Sequence, residues 1–262
     1  VGRYVGADAL AAVGSTGTIM FLIIGFAQGI TAGFSILISQ KYGGQNIQGV
    51  KRSAANGILL SIFSSIILTI LCLVIMRPLL RLMNTPDNIF QDAYAYIMII
   101  SVGITANIFY NLFSAYLRAV GNSKIPLVFL IISSAINIAL DLVFVIVCQW
   151  SVFGVALATV IAQLVAAIGA FIYEFCKIPI LRVNKECRRV KPDIMEKCFR
   201  LGFPIALQNS LIAFSCIFLQ RVVNGFGEDV VAANTALSRI EQLVQQPYNS
   251  LGAALTTFTG QN

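Results

Sequence analysis

One acid stands inside the otherwise uncharged stretch from Ile125 to Tyr173: Asp141. An Asp at the centre of a membrane helix costs about 2.5–3.5 kcal/mol on insertion scales. Such residues face a bundle interior and carry protons or ions, or serve as neutral hydrogen-bonding glue between helices. Asn137 lies one helical turn earlier on the same face, and Ser134 continues that face. Gln149, Trp150 and Ser151 read as a tight turn, with Asp141 nine residues before the Trp and Thr159 nine after it. At about 1.5 Å per residue, Asp141 and Thr159 are both expected roughly 13 Å from the outer end of a helical hairpin. That depth is near the middle of an approximately 30 Å hydrocarbon core. A carboxylate, an amide oxygen and a hydroxyl together form a hard-oxygen set. It suits a proton on Asp141 or a sodium ion, and suits soft metals poorly.

Further polar residues fall in helical stripes. They are Gln28, Thr31 and Ser35; Asn107, Asn111 and Ser114; and Thr159 with Gln163. A last stripe holds Thr235, Ser238, Gln242, Gln245 and Asn249. Any one stripe fits interhelical glue. Beside Asp141 they read as the wall of a wet cavity, with Gln28, Asn107, Asn111, Ser114, Ser134 and Gln163 as substrate-lining candidates. Gly25, Gly29 and Gly33 form two small-xxx-small steps, a close-packing face.

The elements that must position these residues follow from composition. Of 262 residues, 58% are hydrophobic and 11% charged, against about 25% charged in a soluble domain. Mean hydropathy is +0.84, so lipid is the expected solvent. There is no His, which excludes Ser-His and Cys-His dyads, His-ligated metals and His proton shuttles. Six cysteines show no zinc spacing, and three sit in or beside a basic loop where thiols stay reduced.

Six stretches are expected to span: Ala9–Gln40, Ser53–Met76, Ala93–Leu117, Ile125–Cys148, Val152–Tyr173 and Leu201–Gln220. A more polar seventh runs from about Val230 to Thr259. The expected fold is an all-α polytopic membrane protein. Loops Gln40–Arg52, Arg118–Lys124 and Glu174–Arg200 share one face and carry 13 Lys and Arg, against four on the other. The positive-inside rule makes the first face cytoplasmic. Val1 then starts outside, which calls for an earlier span or a leader.

A weak internal repeat organises the chain. Gly6-Ala7-Asp8-Ala9-Leu10-Ala11-Ala12 returns as Gly227-Glu228-Asp229-Val230-Val231-Ala232-Ala233, and the same offset pairs Gln40 with Gln261. Both copies point the same way across the membrane, as in a parallel repeat about an axis along the membrane normal. The expected organisation is an N-terminal transmembrane lobe over 1–173 lacking its first helix, an inter-lobe loop over 174–200, and the first two helices of a second, repeat-related lobe over 201–262.

These pieces resemble the MATE family, the multidrug and toxin extrusion transporters. The resemblance rests on Gly6-x-Asp8-x-x-Ala11-Ala12 and its copy, Ser39-Gln40-x-x-Gly43, and Leu117-Arg118-Ala119-x-Gly121-Asn122. It continues through Asn137-x-x-x-Asp141, Gly154-x-Ala156-x-Ala158-Thr159, Gly202-Phe203-Pro204 and Gly260-Gln261-Asn262. It implies helices two to eight of a twelve-helix, two-lobe chain, acting as a single full-length transporter in the plasma membrane. It further implies that Asp141, Asn137 and Thr159 resemble the cation site of the DinF-like branch. Leu201–Gln220 holds no acid, which fits the NorM-like branch less well. The implied activity is antiport: organic, often cationic, compounds out, protons or sodium in. No cofactor is expected, and no metal other than sodium at Asp141.

Competing readings are a lipid-linked oligosaccharide flippase of the same superfamily and a seven-helix receptor. The flippase needs a strongly basic cavity, and the spans offer only Arg221 and Arg239. The receptor conflicts with the six-span repeat. An enzyme is not expected: an intramembrane aspartyl protease needs a second membrane Asp, and no Walker-type loop is present. The partners expected are the bilayer and a small organic molecule, with no nucleic acid.

Overall fold

A computed structural model describes residues 7–82, 85, 87–183, 192–224, 226 and 228–262. Gly6, Gly227, Lys185 and Cys187 lie outside the described residues, so the opening Gly of each repeat copy does too. The chain forms seven long helices: α1 (Ala7–Gly43), α2 (Ile47–Leu82), α3 (Asp87–Ala119), α4 (Lys124–Leu142), α5 (Ser151–Lys177), α6 (Pro192–Asn224) and α7 (Glu228–Gln261). A π-helical turn, Val143–Val147, closes α4. There is no strand among the described residues.

Five segments are long and apolar enough to cross a membrane among the described residues: Ile19–Gly43, Ile47–Arg81, Asp87–Ala119, Lys124–Val147 and Ser151–Lys177. The stretches Leu201–Gln220 and Val230–Thr259 lie within α6 and α7, helices of 33 and 34 residues. Burial is inverted relative to a soluble protein. Phe63, Ile67, Val74, Ile131 and Val147 are all more than half exposed or nearly so, while Ser61, Ser65, Ser101 and Ser114 are buried. Large contiguous apolar surface of this kind is stable only against lipid.

The helices overrun the charge-free stretches. Helix α5 continues through Lys177 and α6 starts at Pro192, so the 174–200 segment is helical at both ends. Charges do not interrupt the i→i−4 hydrogen-bond ladder; they only mark where the helix leaves hydrocarbon.

Helix α1 is the centre of the packing, against α2, α3 and α6. Its Gly25, Gly29 and Gly33 face Asn209, Ala206 and Gly202 of the antiparallel α6. A Cβ on Gly29 or Gly33 would collide with the α6 backbone, so the glycines set how closely the two helices approach. Asn209 Nδ2 donates to Gly25 O at 2.8 Å across that seam. On the other side, α3 packs on α5, whose Ala156, Ala158, Ala162, Ala166 and Ala170 are buried.

At the Gly43 end of α1, α7 meets α1. A Cβ built on Gly260 lies 3.0 Å from Ser39 Cβ, and Gln261 Nε2 donates to Ala119 O at 2.8 Å. Ser39 and Gly260 are separated by 221 residues, the offset that also relates Gly6 to Gly227.

Candidate functional site: the α4–α5 hairpin and its polar faces

Asn137 and Asp141 lie one turn apart on α4, both half-buried. Asn137 Nδ2 donates to Thr159 Oγ1 on α5 at 3.4 Å. The Thr159 hydroxyl donates in turn to Val155 O at 3.0 Å. The Asn137–Thr159 bond uses one of the two Asn137 side-chain N–H groups and does not involve its Oδ1. Asp141 Oδ1 is buried and has no hydrogen-bond partner. An unpartnered carboxylate oxygen one turn from an amide oxygen is an arrangement for a proton or a hard cation.

The hairpin register differs from the sequence expectation. Thr159 meets Asn137, not Asp141. The π turn begins two residues after Asp141, with Cys148 N–H donating to Val143 O at 3.0 Å. An i→i+5 turn takes an extra residue without a matching rise. Asp141 is therefore about one turn, roughly 6 Å, closer to the Trp150 turn than Asn137 and Thr159. The turn itself falls as expected, with left-handed backbone at Gln149 (φ 55) and Ser151 (φ 37).

The remaining candidates separate into groups. Gln163, one turn beyond Thr159 on α5, has a buried Oε1 without a partner. It extends the polar face from Thr159. On α3, Asn111 Nδ2 donates to Asn107 O and Oδ1 at 2.8 and 3.0 Å, so this pair is internally satisfied. Ser114 Oγ is buried and unpartnered. Gln28 is exposed, while Thr31 and Ser35 bond back to the α1 carbonyls of Gln28 and Ala32. Ser134 is exposed; its neighbour Ser133 is the buried one, donating to Ala162 O at 3.0 Å. Along α7, Ser238 bonds to Asn234 O and Gln245 to Glu241; the side chains of Thr235 and Gln242 are outside the described residues.

Tyr96 on α3 was not signalled by the sequence. It is half-buried and lies within electrostatic reach of Asp141. Only the packing of α3 beside the hairpin places it there. No group of three or more metal-type ligands occurs among the described residues.

A family model described as MatE matches residues 1–143, more than half of the chain. The chain belongs to the MatE family. Relatives in Bacillus subtilis are the probable multidrug resistance proteins YoeA and YpnP, 31% and 28% identical. Each comparison covers 100% of this chain and 58% of the relative, so the chain spans little more than half of their length. A solved structure described as MATE in the bent conformation superposes with a TM-score of 0.92 at 26% identity, covering 99% of this chain and 59% of that one. The fold is thus shared with that MATE structure, and the chain is part of a multi-pass MatE-family protein of the plasma membrane. Within it, the Asn137–Thr159 contact ties together the two hairpin helices of the lobe.

Proposed function

We propose that the MatE-family protein carrying this chain is a secondary antiporter, exporting small organic compounds in exchange for protons or sodium. Asp141 is the coupling residue, with Asn137 and Thr159 as its neutral neighbours. The observation that carries this reading is the buried, unpartnered Oδ1 of Asp141, one turn from the amide of Asn137 on the same face of a membrane helix.

A buried carboxylate without a partner is costly. A proton or sodium ion removes that cost, and an organic cation near the same face competes with it. Binding of one then disfavours the other, which is the thermodynamic requirement for exchange. Thr159 holds the Asn137 amide so that its oxygen stays directed away from α5. Gln163 and Ser114, with unpartnered buried oxygens, are wall positions able to receive polar groups of a substrate.

The test is dye efflux from vesicles reconstituted with the full natural chain, with sodium and pH gradients imposed separately. Efflux that follows at least one gradient supports antiport. Efflux indifferent to both, or none while lipid-linked sugars move, rejects it.

A further inference from the structure

A second carboxyl, Glu174, lies outside this machinery. It sits near the cytoplasmic end of α5, is 5% exposed, and its Oε2 has no hydrogen-bond partner. Its place near a helix C-terminus adds repulsion from the last carbonyls. Arg182 does not pair with it: that guanidinium donates to the carbonyls of Phe175 and Cys176 and lies 5.7 Å from the Phe175 ring centroid. The Tyr116 hydroxyl, within electrostatic reach of Glu174, donates to Ala54 O. The Glu174 Oε2 is therefore unserved by the side chains described around it.

Glu174 lines a cavity of ≈ 390 Å³ with Ile58, Phe113, Phe171 and Leu181. Ile58, Phe113 and Phe171 also line a second apolar cavity of ≈ 520 Å³, which runs on to Gly103 and Val160. The two form one trough between α2, α3 and α5. From Glu174 to Val160 the trough follows α5 for roughly 21 Å at 1.5 Å per residue. Half of the hydrocarbon core is about 15 Å. Phe171 and Phe175 on its rim are 45% and 53% exposed. Lys177, three residues beyond Glu174, and Arg182, next to the cavity-lining Leu181, are exposed.

The geometry points to a binding site for an inner-leaflet phospholipid with a primary ammonium headgroup: ammonium on Glu174, phosphate at Lys177 and Arg182, one acyl chain along the Phe171–Val160 trough. Each part of the lipid meets its complement. The buried acid selects a cation, and its unclaimed oxygen selects one with N–H donors over a quaternary one. The basic mouth takes the phosphate, and the dry trough is long enough for a chain from headgroup level past the midplane. The site is separate from Asp141, which lies nearer the outer face.

The test uses the full natural chain, stripped of lipid in detergent and titrated under native mass spectrometry. Phosphatidylethanolamine, phosphatidylcholine and phosphatidylglycerol of identical acyl chains are compared, with dodecylamine as a phosphate-free competitor. Phosphatidylethanolamine is expected to bind about tenfold more tightly than the other two, the worth of one charge-assisted hydrogen bond. Glu174→Gln should erase that preference and Glu174→Asp should retain it. Leu59→Trp, which fills the trough beside Ile58, should weaken all three lipids; this variant and the unmodified protein decide the matter if Glu174→Gln does not fold. Equal binding of the three lipids by the unmodified protein, or a preference that survives Glu174→Gln, would overturn the site. Displacement of phosphatidylethanolamine by equimolar dodecylamine would reassign it to free lipophilic amines and reject the lipid.

Discussion

Asn137 on α4 donates its side-chain N–H to the Thr159 hydroxyl on α5 across 3.4 Å. That bond decides which oxygens of the hairpin are free. The Thr159 hydroxyl donates in turn to Val155 O, so the chain of donors runs toward α5 and away from Asp141. The unpartnered Oδ1 of Asp141 is left one turn from Asn137 on the same face.

Thr159→Val keeps the shape and removes the acceptor. It should lower stability modestly, by about 0.6 kcal/mol and at most roughly 1.7, the range for single interhelical hydrogen bonds in a membrane. It should also release the Asn137 amide and raise the ion concentration needed for half-maximal transport. Detergent unfolding curves and ion titrations of efflux check both. A change in stability with no change in ion dependence would make the bond purely structural.

The glycine seam predicts a sharp positional contrast. Gly29→Leu places a branched side chain against the backbone of Ala206, whereas a Cβ on Gly17 meets nothing within 4 Å. Overpacking a close contact costs about 1–3 kcal/mol or more. The folded yield and Tm of Gly29→Leu should fall well below those of Gly17→Leu, measured by fluorescence-detected size exclusion and thermal scans. Equal behaviour of the two would mean that the α1–α6 seam yields without cost.

Much of this was legible in the sequence. The charge-free stretches each became a helix, the Gln149–Trp150–Ser151 turn fell in place, and Asn137, Asp141 and Thr159 came to one hairpin. The register did not follow, because the π turn after Asp141 leaves no trace in residue type. Glu174 read as a loop residue since it is the first charge after an apolar run. Helix α5 continues past it, and the packing of Leu181 and its neighbours buries it. Tyr96 could not be picked from the other aromatics of α3 without knowing which face meets α4.

The native cysteines report orientation. Cys148 and Cys176 are exposed at opposite ends of the α4–α5 hairpin, and Cys198 is buried. Burial pushes the Cys198 thiol up to about 12, so it carries almost no reactive thiolate at pH 8. A membrane-impermeant maleimide on intact cells should modify Cys148, reach Cys176 only after permeabilisation, and spare Cys198 in both cases. Peptide mapping reads all three. Labelling of Cys176 in intact cells would invert the orientation.

The contact between Ser39 and Gly260 can be locked. Ser39→Cys with Gly260→Cys brings two Cβ atoms close to the roughly 3.5–4.5 Å of a disulfide. In a cysteine-depleted full chain, oxidation should cross-link the pair, stop transport, and be reversed by reductant. A cross-link that forms fully and leaves transport intact would show that α1 and α7 need not part at this end during the cycle.

The most direct measurement is gradient-driven efflux per folded molecule for Asp141→Asn in the full natural chain, alongside substrate binding to the same preparation. The substitution keeps volume and hydrogen bonding and removes the titrating charge. The protein should insert and fold at least as stably, because a costly buried carboxylate is gone. It should still bind substrate but lose efflux under imposed sodium and pH gradients, while Asn137→Ala and Thr159→Ala lose less. Normal gradient-driven efflux by Asp141→Asn would contradict the account and leave Asp141 as a packing residue.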